Sequence, residues 1–343
     1  MGNASGAGAG AGVGDGRSAK RRAVSRRKFL AMSGAAVAAS VSVAEKAHAA
    51  DPFPVRLVLV HGRSQQGLNP VDLQSTWLET LRRGAAKINR SLPERLDVAF
   101  PYYGDKLDEF ARKFDIPLTT DIQAKGSEVN SDFLNFQAEV ADEMRSRAGI
   151  TDSQVQEEFG TNPTPKGPQN WAWVQAIIRA IDKHAGGVSQ RVIEDFMRDV
   201  YLYTTQPIVR DAIDDIVGGA VNEKPCVVIG HSLGSVVGYH VLRTDRRALK
   251  VQAYVTVGSP LAIRAVRDRF RPIAFPAPAK AWYNAFDPKD VVALYPLDAA
   301  NFPVNPAVEN YGNVRNATDN RHGIIGYLDD PDVARHVLDA LGA

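Results

Sequence analysis

The chain has 343 residues, of which 44% are apolar and 23% charged, a balance that fits a globular protein with a sizeable core and excludes a disordered or fibrous chain. Its net charge of +2 hides a split: residues 1–49 hold eight Lys/Arg and two Asp/Glu, so the rest carries 33 basic against 37 acidic residues, a net of −4. That body offers no basic face for nucleic acid, and a single cysteine, Cys226, excludes an intramolecular disulfide.

Residues Gly2–Gly16 are almost all Gly, Ala, Ser and Asn and cannot offset the entropy of ordering, so they are predicted to be disordered. Lys20-Arg21-Arg22 and Ser25-Arg26-Arg27-Lys28-Phe29-Leu30 follow, then a weakly hydrophobic segment, Phe29–Ala44, and the A-x-A pattern Ala47-His48-Ala49. The Ser25–Leu30 run resembles the twin-arginine export signal, and a segment rich in Ala, Gly and Ser is similar to leaders of that type. The resemblance implies three things: the twin-arginine export machinery as a partner, cleavage after Ala49, and a mature domain over 50–343 that is periplasmic or extracellular. The apolar segment is shorter than the roughly 18 residues of a membrane span, so no stable span is expected after processing.

In the body, Val55–Val60 is a near-continuous apolar run, as for a strand buried on both faces. It leads into His61-Gly62-Arg63-Ser64-Gln65-Gln66-Gly67. Leu73, Trp77, Leu78 and Leu81 recur at helical spacing and predict a helix over 71–83. Arg95–Phe100 reads as a second strand, ending at Pro101-Tyr102-Tyr103, where either tyrosine could line a pocket or pack. Residues 105–223 carry helical patterns over 133–147, 171–184, 188–202 and 207–221, joined by polar segments such as 161–168. More than 100 residues between two strands exceeds a single crossover. One helix there should cover the sheet and the rest should form a helical insertion. Trp171, Trp173, Phe196, Tyr201 and Tyr203 are candidates for its pocket walls or its core, and His184 for its surface.

Cys226-Val227-Val228-Ile229 enters Gly230-His231-Ser232-Leu233-Gly234, and a small-residue helical run leaves it. In this strand–turn–helix context the two glycines permit close backbone approach, and Ser232 is the candidate nucleophile. Cys226 reads as a buried, inert thiol. Val251–Val257 is the next strand, running into Gly258-Ser259-Pro260-Leu261. Ala279–Phe286 is another, followed by Asp287-Pro288-Lys289-Asp290-Val291-Val292. Asp319-Asn320-Arg321-His322-Gly323 is a loop ahead of an amphipathic helix that begins at Pro331. Of the histidines after Ser232, His240 lies along the elbow helix and His336 inside the last helix, which leaves His322 as the candidate base.

These segments together resemble the α/β-hydrolase superfamily, in particular its lipase- and esterase-like serine hydrolases. The motifs that carry the resemblance are the Gly-His-Ser-Leu-Gly elbow, the His61-Gly62 loop, the Gly-Ser-Pro-Leu tail, the Asp-x-Val segment and the histidine loop. The resemblance implies an α/β-hydrolase fold, with a mostly parallel central sheet, helices on both faces and a helical cap insertion. The chain order Ser232, Asp290, His322 is that of the family's triad. Asp287 competes with Asp290 for the acid, and whichever is not the acid would cap the turn. Ser259 reads as a support residue. The oxyanion donors would be the backbone N–H groups of Arg63 and Leu233.

The chemistry implied is cleavage of a small-molecule or lipid ester through an acyl-enzyme, with no metal or organic cofactor. The same triad would also serve an amidase or peptidase, a thioesterase or an acyltransferase. A non-catalytic binding protein on this scaffold is the reading from another class. The leader is testable by itself: Arg26→Lys with Arg27→Lys should abolish export, seen as unprocessed precursor inside the cell. Undiminished export would exclude the twin-arginine route.

Overall fold

The computed structural model describes residues 55–116, 131–161, 171–185 and 189–343, all within one unit spanning Ala50–Ala343. The leader, its twin-arginine run and the cleavage position at Ala49 lie outside the described residues, as do Val188 and most of the 161–168 linker.

Six strands form one sheet: β1 Arg56–Val60, β2 Val98–Ala99, β3 Cys226–His231, β4 Val251–Val257, β5 Trp282–Ala285 and β6 Glu309–Tyr311. Their spatial order is β2-β1-β3-β4-β5-β6, and every pair is parallel. β1 is followed in sequence by its neighbour on one side and flanked by β3 on the other. The order therefore reverses between β1 and β3, and a crevice opens beyond their carboxyl ends, where ligands gather in such sheets. Val60 pairs with Gly230, which brings the His61-Gly62-Arg63 segment beside His231 and Ser232.

Alternate residues of each strand face opposite layers. Leu57, Leu59, Val227 and Ile229 pack with Trp77 and Leu81 of helix α1 (Pro70–Ala86) and with Val333 and Val337 of the last helix, Pro331–Leu341. Val58, Val60 and Val228 face the layer of the helix Leu233–Thr244 and the helices inserted before β3. The chain is thus an α/β fold, with eleven α-helices among the described residues.

Six helices lie between β2 and β3 among the described residues: α2 Gly104–Lys113, α3 Ser131–Arg147, α4 Asp152–Phe159, α5 Trp171–Ala185, α6 Gln190–Thr205 and α7 Pro207–Ala220. Four match the predicted patterns to within a few residues. α2 and α4 are additions. α4 starts at a capping box, with Thr151 and Gln154 satisfying each other's backbone N–H groups. α7 packs on α8 (Leu233–Thr244) and so continues the layer over the sheet. The strand expected over 95–100 shrinks to Val98–Ala99. It is an edge strand with β1 as its only partner, and its start is given over to Asp97, which binds Arg56 at 2.9 Å.

β3 delivers the serine. All six of its residues are buried, and the turn into α8 brings backbone against backbone. A side chain on Gly230 would lie 2.7 Å from Ser235 Cα, and one on Gly234 would be driven into the carbonyl oxygens of Val60 and His61. Cys226, the first residue of this strand, is buried, and burial pushes its thiol pKa up to about 11, as for an unreactive core residue. Gly234→Ala should therefore destabilise the fold by about 3 kcal/mol or more, read as a lower urea midpoint. A midpoint within error of the wild type would show that the approach of α8 to β1 is not tight.

Candidate active site

Ser232 follows β3 with φ 52° and ψ −127°, a region that side chains other than glycine occupy only when the surroundings impose it. Its N–H donates to Val257 O at 3.2 Å, and its carbonyl accepts from Ser235 N and Oγ at 2.9 and 2.6 Å. With the backbone pinned in this way, the side chain projects past the carboxyl end of the sheet. Ser235 Oγ also meets Ser259 Oγ at 2.7 Å, and Leu261 N–H donates to Ser259. Ser259 is buried and braces the turn.

Ser232 Oγ lies 2.8 Å from His322 Nε2, and His322 Nδ1 lies 2.7 Å from Asp290 Oδ2. The structure brings the three residues singled out in the sequence into one hydrogen-bonded chain. Asp290 is fully enclosed. Burial alone would raise its pKa. The facing His322 and hydrogen bonds from Tyr327 Oη (2.5 Å) and Val292 N–H (2.8 Å) outweigh it and hold the carboxyl below its usual range. An ionised Asp290 keeps the Nδ1 proton on His322, which leaves Nε2 free to accept from the serine hydroxyl.

Asp287 does not face the histidine. It accepts from Lys289 N–H and Asn316 N–H, both at 2.8 Å, so it caps the turn and ties it to the segment after β6. Tyr327 joins the two aspartates, since its oxygen also accepts the Asp287 N–H at 3.3 Å. Nothing in the sequence pattern marks Tyr327.

The backbone of His322 is held as well. His231 Nε2 lies 2.7 Å from the His322 carbonyl, which can only accept, so His231 carries its proton on Nε2. Asn320 Oδ1 accepts the His322 N–H at 3.1 Å. Burial, and then the neighbouring His322, push the His231 pKa down to about 3, and burial lowers His61 to about 4. His61 Nε2 accepts from Tyr103 N–H at 3.0 Å, and its ring stacks on Tyr103 at 4.0 Å. Tyr102 Oη donates to Gln65 O at 2.6 Å. Both tyrosines therefore support the 61–67 loop and are not among the residues lining the site. His240 binds Asp214 at 2.6 Å, His336 binds Glu309 and stacks on Tyr283, and His184 is exposed. All three lie apart from the serine.

Gly62 sits against the serine: a Cβ there would lie 3.0 Å from Ser232 Cβ. Arg63 and Ser232 line one cavity of about 270 Å³. Among the described residues neither the Arg63 nor the Leu233 N–H donates to a backbone carbonyl. The cavity's apolar walls are Trp77, Val192, Phe196, Val292 and Ile324. Of the five aromatic candidates in the insertion, Phe196 alone is among its walls. Trp173 packs on Phe159, Tyr201 on Phe133 and Phe136, and Tyr203 Oη donates to Asp214 at 2.6 Å. Among the described residues no group of three or more His, Cys, Asp and Glu could hold a metal ion. No protein-family model, curated protein or solved structure matches the chain.

The two depressed imidazoles set a pH dependence. Unfolded, each binds a proton near pH 6.5; folded, only near 4 for His61 and near 3 for His231. Between these values the unfolded chain holds more protons, so stability falls as pH is lowered from about 6.5 towards 4, by up to about 1.4 kcal/mol per pH unit for each group. Urea unfolding at pH 7, 6 and 5 should show this slope, and His231→Gln should reduce it. An unchanged slope in that variant would remove His231 from the account.

Proposed function

We propose that this chain is a serine hydrolase of the α/β-hydrolase type that cleaves carboxylic esters, with the helices between β2 and β3 acting as a cap. The observation that carries the reading is the hydrogen-bonded chain Asp290–His322–Ser232, with the serine held at φ 52° where β3 meets α8. A serine hydroxyl is a weak nucleophile at neutral pH. His322 Nε2 takes its proton as Ser232 Oγ attacks the ester carbonyl. Asp290, steadied by Tyr327, stabilises the imidazolium that forms. The carbonyl oxygen becomes an oxyanion and is received by the N–H groups of Arg63 and Leu233. A donor of this kind is typically worth about 100- to 1,000-fold in rate. His322 then returns the proton to the departing alcohol. A water molecule, activated by the same imidazole, attacks the acyl-serine and releases the acid.

The cavity is small against the roughly 300–1,000 Å³ of common ligand pockets, and its walls are apolar. This favours short uncharged acyl groups over long lipid chains. The basic leader with its A-x-A pattern supports action outside the cytoplasm, reached through the twin-arginine machinery.

The test is a panel of p-nitrophenyl esters from acetate to palmitate, with covalent labelling by a fluorophosphonate. Turnover should peak among the short esters, and Ser232→Ala should lose both label and activity, with kcat down about 10⁴-fold or more. Asp290→Asn should lower kcat by about 10⁴-fold, whereas Asp287→Asn should act mainly on stability. Absence of both turnover and labelling in the wild type would overturn the hydrolase reading. Loss of kcat in Asp287→Asn alone would overturn the choice of acid.

A further inference from the structure

Arg63 carries more than a backbone donor. Its guanidinium turns away from the serine into helix α6 and is only 11% exposed. There Nη2 lies 3.0 Å from Asp195, Nε lies 3.3 Å from Asp199, and Nη1 donates to Val192 O at 3.3 Å. Arg198 closes the group, at 3.2 Å from Asp199 and 3.4 Å from Asp195. With Arg191, which reaches Asp195 at 3.5 Å from the exposed side, three guanidinium groups surround two carboxylates, of which the Asp199 side chain is 6% exposed. Burial raises the pKa of Asp199 against the pull of Arg63 and Arg198.

The positions on α6 that face the site are 192, 195, 196 and 199, spaced i, i+3, i+4, i+7 along one stripe of the helix. Val192 and Phe196 are cavity walls. Asp195 and Asp199 hold Arg63. One helix face therefore supplies the walls and grips Arg63, which lines the same cavity as Ser232. A guanidinium suits this task because its rigid fork fixes direction as well as charge. The loop has internal braces too: Gln65 Nε2 donates to Arg63 O at 2.9 Å.

We infer that the Arg63 side chain is a positioning group, whose ion-pair cluster with Asp195 and Asp199 holds the oxyanion loop in register with helix α6, so that oxyanion binding and acyl-pocket shape are set together. The inference rests on the hydrolase reading above. If the cluster is broken, the loop and α6 lose their common anchor, and the Arg63 N–H drifts from the position that charge development requires. The loss is then felt in the transition state more than in substrate binding.

The test compares Arg63→Gln, Asp199→Asn, their double variant and Arg63→Lys on p-nitrophenyl esters. Rates are taken per active site titrated with a fluorophosphonate, and circular dichroism verifies folding. Each Gln or Asn single variant should lower kcat per site by about 10- to 100-fold, within the loss of one oxyanion donor, with a smaller change in KM. Affinity for a trifluoromethyl ketone, which forms a tetrahedral adduct, should fall in step with kcat/KM. The double variant should be no worse than the poorer single one, since both break one unit. Arg63→Lys, which keeps the charge without the fork, should fall between. The chain-length preference should flatten in Asp199→Asn, because α6 carries Val192 and Phe196.

A merely structural cluster would lower the fraction of titratable sites and leave kcat per site and the ketone affinity at wild-type values, and that result overturns the inference. Full additivity in the double variant overturns it as well. Should Arg63→Gln fail to fold, Asp195→Asn takes its place, since it leaves the Arg63–Asp199 pair intact and is judged by the same readouts. Failure of the hydrolase reading is seen separately, as a wild type that neither turns over esters nor takes the label.

Discussion

The site depends on one steric constraint: helix α8 starts so close to β1 that the backbone at Gly234 touches the carbonyls of Val60 and His61. With a glycine on each side of the turn, the chain can reverse from β3 into α8 within a few residues. The residue between them is left with a backbone of positive φ, at a cost of about 1–3 kcal/mol. Burial of β3 and α8 on both flanks supplies that energy. Three consequences follow together. Ser232 Oγ is lifted clear of the sheet, Leu233 starts helix α8 immediately after it, and the loop after β1 is pressed against the serine through Gly62. A looser turn would lose all three at once.

The imidazole that faces Ser232 is placed by a different principle. His322 sits in a loop with no ladder of its own, so its position comes from discrete hydrogen bonds made at opposite ends of the residue. His231 and Asn320 hold its backbone, and Asp290 and Ser232 hold its ring. Support continues outward, from Tyr327 to Asp290 and from Asp287 to Asn316. The two aspartates that compete in the sequence are complementary in the fold, one directed at the imidazole and the other tying down the loop that carries it. A phenol hydrogen-bonded to both keeps their separation fixed. Supporting contacts of this kind keep a loop-borne group within the narrow tolerance that proton transfer needs.

Features with local causes were readable from the sequence. The β-branched run, the paired glycines and the helix after Ser232 are dictated within about fifteen residues, and so are α1, α5 and α7, with their 3.6-residue spacing. His322 was reachable by elimination among a handful of histidines. Asp290 was favoured on the Asp-x-Val motif, but local spacing alone did not exclude Asp287, because the two lie three residues apart in an irregular loop. Partners far along the chain, Asn316, His322 and Tyr327, decide which way each carboxyl turns. β6 is an edge strand of three residues paired only to β5, too short for any alternation to show. In α2 the apolar positions Leu107, Phe110 and Ala111 have helical spacing but are diluted by six charged neighbours. No sequence pattern sets Tyr327 or His231 apart.

Helix α6 explains why the substrate side of the molecule was the least legible. Amphipathic pattern reading assigns buried helix positions to apolar residues and treats Asp195 and Asp199 as solvent-facing interruptions. Both lie on the inward stripe. Their charge is met by Arg191 and Arg198 of the same helix and by Arg63, which lies 136 residues upstream of Asp199 in the loop after β1. Burying an acid without cationic partners is prohibitive, and one of the partners here arrives from a distant part of the chain. The same stripe carries Val192 and Phe196 into the cavity. The turn around Ser232 and the cavity wall are thus written in different places, the first in one local stretch and the second on a helix whose inward acids bind it to the loop after β1.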